Sequence, residues 1–136
     1  MENYAESEVF KAEEVRLWRQ AVRFVEALPD EKFRCHELAR AIGRLLNLEV
    51  QDGRYGFVEH TWLWTTPFEE KCRLPNVLDV YIPGALPQVQ LIHTDRSFLP
   101  VNYRWDHPRD DIQQDVVDRL CQILGPVPAT GPSGTI

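Results

Sequence analysis

Three residues of this chain could together carry nucleophilic chemistry. Cys35 stands in Phe-Arg-Cys-His-Glu-Leu-Ala-Arg, His60 in Val-Glu-His-Thr-Trp-Leu-Trp, and Asp79 in Asn-Val-Leu-Asp-Val-Tyr. A thiol attacks a carbonyl only as its thiolate, and both a helix N-terminus and a neighbouring imidazole favour that form. An imidazole held by a carboxylate keeps the tautomer it needs to take the thiol proton and return it to a leaving amine. Cys35, His60 and Asp79 supply the nucleophile, the acid/base and the orienting carboxylate. Each also has a plainer reading by itself: an inert buried thiol on an apolar helix face, a satisfied core histidine, and a carboxylate on a solvent face. Only their combination points to a site.

The elements that must position them follow from periodicity. Residues 8–28 place Val15, Trp18, Val22 and Val25 at steps of three and four, which predicts a helix ending at Pro29-Asp30. A second helix carries Leu38, Ala41, Ile42 and Leu45 inward, with Arg34, Glu37, Arg40 and Arg44 largely on its other side. Asp30 as its N-cap would put Cys35 a turn inside the helix; a start near Phe33 or Arg34 would put it at the dipole. Cys35 shares a face with Leu38 and Ile42, which directs its sulfur toward the sheet. His36 points about 100° away from Cys35 and reads as surface or rim.

Beyond residue 47 the period changes to two. A strand is expected at 48–51, a turn at Asp52-Gly53 with a further Gly56, and a long strand at 57–66. In that strand His60 alternates onto the face of Val58, Trp62 and Trp64. Residues 67–76 read as an exposed connection, followed by strands at 77–82 and 89–93, an irregular extended piece at 97–105, and a helix at 110–124 with Gly125 after it. Neighbouring strands lie roughly 4.8 Å apart, so Asp79 can reach His60 if their strands pair in a compatible register. The expected fold is α+β, with N-terminal helices on a mostly antiparallel sheet and a closing C-terminal helix, in a single domain of residues 1–125 with a loose tail at 126–136.

A Cys at a helix start, then His-x-Trp in a strand, then Leu-Asp-Val in the next strand resembles the transglutaminase-like branch of the papain-like cysteine enzymes. The resemblance covers about residues 33–93 and rests on Cys35, His60 with Trp62, and Asp79. It implies a papain-like core and a Cys35 nucleophile, a His60 acid/base and an Asp79 orienter. It also implies hydrolysis or acyl transfer at an amide or peptide through a thioester. Trp18 and Gln20 are the nearest candidates for a side-chain oxyanion donor, beside the backbone N–H of Cys35. The same family includes inactive relatives, so the alternative is a non-catalytic module that binds a protein partner; a third reading is a subunit whose partner completes the site.

Composition narrows the partners. The 136 residues carry a net charge of −6, with no dense basic cluster, which argues against nucleic acid or an anionic membrane. A peptide or protein substrate is expected, and a protein partner is compatible. Three cysteines, an odd number with no close pair, suit a reducing compartment and no zinc ribbon. The acidic N-terminus has no apolar stretch of the signal-peptide kind, so a cytoplasmic location is expected. No cofactor and no metal are expected. Zinc held by Cys35, His60 and Asp79 is the remaining metal alternative, whereas His93 and His107 have no ligand partner at a recognisable spacing. Cys72 and Cys121 read as incidental.

Overall fold

The computed structural model describes residues 10–67, 75–80, 88–94, 103–105 and 107–128. Among the described residues, three helices and five strands follow one another as α1 (Ala12–Glu26), α2 (Cys35–Leu46), β1 (Val50–Tyr55), β2 (Val58–Trp64), β3 (Val77–Asp79), β4 (Gln90–Ile92), β5 (Tyr103–Trp105) and α3 (Gln114–Leu124). The fold is α+β. Every strand pair is antiparallel, in the order β4-β3-β2-β1-β5. Four consecutive strands form a meander, and β5 returns to the free side of β1. The expected residues 68–74, 81–87, 95–102 and 129–136, with Cys72 and the outer part of the tail, lie outside the described residues.

Two outcomes bear on the site. Of the two starts left open for the second helix, the structure takes the later, at Cys35, with Arg34 before it extended (φ −74°, ψ 149°). Arg34 then serves as N-cap residue, and the first intrahelical bond runs from Leu38 N–H to Arg34 O at 3.1 Å. The Arg34 side chain does not cap; it pairs with Glu37 and Asp111. At the other end Asn47 takes the left-handed conformation (φ 60°), and Leu48 N–H folds back to Gly43 O at 2.8 Å.

The hairpin turn also lies later than Asp52-Gly53. β1 continues through both residues, and the reversal falls on Gly56-Phe57, where Gly56 has φ 62°. Asp52 therefore becomes a sheet residue, with its side chain buried. Gly125 likewise takes a right-handed conformation (φ −52°) after α3 and needs no glycine for its backbone angles.

The sheet has two different faces. Leu63 and Leu78 join Leu38, Ala41 and Ile42 of α2, Val15, Trp18 and Phe24 of α1, and Val117, Leu120 and Leu124 of α3 in the main core. The opposite face buries Trp62, Trp64, Val77 and Tyr103, with Tyr55 and Ile92 against them. Val58, expected on that packed face, is exposed because it sits at the hairpin tip beside the fully exposed Phe57. Among the described residues no helix is long and apolar enough to cross a membrane.

Candidate functional site

Cys35 is the first residue of α2, so its backbone N–H and those of the next two residues have no intrahelical acceptor. This is the position at which the helix dipole acts on a side chain. Cys35 as a whole is half-buried.

His60 and Asp79 are both buried, at 1% and 0% exposure, and meet through Nε2 and Oδ2 at 2.8 Å. The register explains the contact. Leu63 pairs with Leu78 and Trp64 with Val77, so Asp79 lies on the face of Trp62 and one diagonal step from His60. Tyr103, from β5 on the far side of β1, donates its hydroxyl to the same Oδ2 at 2.7 Å. Burial and the adjacent Asp79 carboxylate hold this phenol well above the ordinary tyrosine range. Around the imidazole stand Tyr55, Trp62 and Tyr103, with ring centroids 6.0, 6.2 and 6.3 Å away.

The route from Cys35 to His60 is less obvious. Alternation puts Thr61 and Leu63 on the face covered by α2, and His60 on the other. Cys35 and His60 nevertheless act on each other electrostatically. The first turn of α2 is fastened to β2 by His36, whose Nδ1 lies 2.6 Å from Thr61 Oγ1. With Nε2 committed to Asp79, Nδ1 of His60 is the nitrogen left for the thiol, and it is buried.

The two groups hold each other charged. Burial would raise the Cys35 thiol, but the His36 and His60 imidazoles outweigh it and bring it from 9.0 to about 6. Burial would lower His60, but Asp79 first and Cys35 second lift it from 6.5 to about 9. Both shifts favour the thiolate–imidazolium form of the pair.

Among the described residues no group of three or more His, Cys, Asp or Glu is arranged to hold a metal ion.

Several participants escaped the sequence reading. His36 is 6% exposed, not a rim residue, because position 36 starts a helix whose His36–Arg40–Gly43 stripe lies on β1 and β2. Arg40 and Glu37, expected on the outer side, are turned inward: Arg40 pairs with Asp52 at 3.0 and 2.5 Å, and Glu37 pairs with Arg34 and accepts from Gln113 N–H at 3.0 Å. The i, i+4, i+7 spacing of His36, Arg40 and Gly43 was the available signal; Tyr103 offered none. Trp18 is no oxyanion donor, since its indole N–H is spent on Val89 O at 3.0 Å. Gln20 is buried on the same helix.

No family model, curated protein or solved structure matches this chain.

Proposed function

We propose that this protein is a cysteine-dependent amide or peptide hydrolase, or an acyl transferase of the same chemistry, with a transglutaminase-like, papain-like core. The observation that carries the reading is a half-buried thiol at a helix start, coupled to an imidazole whose far nitrogen is held 2.8 Å from a buried carboxylate. Cys35 Sγ⁻ attacks the substrate carbonyl carbon, and the π electrons move onto oxygen, where the Cys35 backbone N–H can receive the charge. As the tetrahedral adduct collapses, His60 Nδ1–H gives its proton to the departing amine and a thioester remains. Water or a second amine then attacks the thioester, His60 Nδ1 takes the proton released, and the thiolate is regenerated. Asp79 keeps Nε2 protonated throughout, and Tyr103 fixes Asp79. A peptide or protein substrate in a cytoplasmic setting remains part of this reading, and no cofactor enters any step.

The half-buried position of Cys35 favours this reading over a non-catalytic binding module, for which a sealed cysteine would serve as well. The test uses p-nitrophenyl acetate, which reports acylation independently of the natural acceptor. A stoichiometric burst of nitrophenolate is expected, with the acetyl group on Cys35, and with the burst lost in Cys35→Ala and His60→Ala. No burst, or a burst that survives Cys35→Ala, would rule the reading out.

A further inference from the structure

His36 belongs to a second polar chain beneath the nucleophile. Thr61 Oγ1 lies 2.7 Å from Asp52 Oδ1 and 2.6 Å from His36 Nδ1, and His36 Nδ1 lies 3.7 Å from Cys35 Sγ. Asp52 is buried and also receives Arg40 through both guanidinium nitrogens and the backbone N–H of Arg109 at 2.9 Å. Burial would raise its carboxyl, but Arg40, Arg109 N–H and Thr61 together hold it below the usual range, so it is an ionised acceptor.

Counting protons along this chain fixes the tautomer. A carboxylate only accepts, so the single hydroxyl hydrogen of Thr61 is donated to Asp52. Thr61 Oγ1 must then accept from His36, and Nδ1 of His36 carries a hydrogen. A nitrogen that carries a hydrogen cannot take the thiol's proton, so His36 is not an alternative base. It can, however, share that hydrogen between Thr61 and a sulfur anion on its other side. Arg40 also holds the His36 backbone, donating to its carbonyl at 3.1 Å.

We propose that His36 is a second donor to the Cys35 sulfur, with its Nδ1–H fixed in place by the Asp52–Thr61 relay, so that the nucleophile is held by two imidazoles of different duty. This rests on the reading of Cys35 as nucleophile and deepens it: His60 exchanges the proton, and His36 donates a hydrogen bond to the sulfur. The charged groups that face this region are Arg34 at the N-cap of α2, Glu37 and Arg40 of α2, Asp52 of β1, Glu59 and His60 of β2, and Arg109 and Asp111 of the segment before α3.

The test measures the apparent pKa of the Cys35 thiol from its alkylation rate against pH, in the full chain and in His36→Gln, Thr61→Val and His60→Gln. His36→Gln is expected to raise it by about one unit, with Thr61→Val moving it in the same direction by less. A depressed thiol in the parent that His60→Gln raises and His36→Gln leaves in place would overturn the role of His36 while leaving the nucleophile intact. An ordinary thiol in the parent would overturn both. A second measurement needs no folded variant: long-range proton–nitrogen correlation spectra of the chain with 15N-labelled histidine. The His36 ring should show a hydrogen on Nδ1 at neutral pH, and an Nε2–H tautomer in its place would overturn the relay.

Discussion

At the scale of single residues, the chemistry depends on which atom competes for Asp79. Oδ2 accepts from both His60 Nε2 and the Tyr103 hydroxyl, so the two donors share one lone-pair region. Removing the phenol leaves the carboxylate a stronger partner for the ring, whereas making it an amide removes the charge that stabilises imidazolium. In kcat/KM against pH, the rising limb near 6 reports thiolate formation and the falling limb near 9 reports loss of the proton His60 must donate. Tyr103→Phe should move the upper limb to higher pH and cost about 1.5–3 kcal/mol of stability in chemical denaturation, the range for a hydrogen bond to a charged group. Asp79→Asn should move the same limb to lower pH. Shifts in one common direction would mean that Tyr103 does not act through Asp79.

At the scale of elements, the position of the thiol depends on how closely α2 lies on the sheet. Gly43 is the point of closest approach: a Cβ there would stand 2.8 Å from Leu63 Cδ2 and 3.1 Å from the Leu48 carbonyl oxygen. Glycine to alanine inside a helix ordinarily gains about 0.5–1 kcal/mol. Here a backbone carbonyl as well as the Leu63 side chain would have to shift, so Gly43→Ala should instead destabilise the fold by about 1–3 kcal/mol, as overpacking does. It should also slow alkylation of Cys35 by lifting the first turn of α2 away from Thr61. Stabilisation on denaturant melting would contradict this packing. The same scale shows where sequence patterns reach and stop. The stripe of Val15, Trp18, Val22 and Val25 locates α1, and Trp62, Trp64 and Leu63 locate β2, because burial imposes a period that neighbours in sequence display. The start of α2 was ambiguous, since Asp30 is a good cap by type but the helix begins only after an extended Arg34, whose side chain is tied to Glu37 and Asp111. Asp111 lies 77 residues away, and no local pattern reveals it.

At the scale of the whole molecule, the ladder register and the strand order lay beyond reading from sequence. Asp79 near His60 was a condition on two strands pairing, and the meander satisfies it; the return of β5 to β1, which delivers Tyr103, depends on contacts between distant segments. Folding also moves a proton. The folded-state pKa of His60 is raised from 6.5 to about 9, so its contribution to stability is complete below 6.5 and lost as pH rises through about 9. That of Cys35 is depressed from 9.0 to about 6, so its contribution is complete above 9.0 and lost as pH falls through about 6. Between 6.5 and 9 the unfolded chain keeps one proton on sulfur and the folded chain keeps it on the ring. The counts are equal, so this pair adds no slope to stability in that window. Cys35→Ala removes one side of the balance: the folded state then binds the extra proton, and stability relative to the parent should fall with rising pH by up to about 1.4 kcal/mol per unit. Parallel stability curves for the two proteins would show that His60 is not charged in the fold.

The thiolate–imidazolium pair is tested most directly by the rate of iodoacetamide alkylation at each cysteine across pH, read by peptide mass spectrometry. Cys35 should react with a half-maximal rate near pH 6, well before Cys121, whose thiol is raised by burial and the nearby Asp118 despite Arg44. If Cys35 instead follows the titration of an ordinary thiol near 9.0, alongside Cys121, the sulfur is not held as an anion and the proposed chemistry fails.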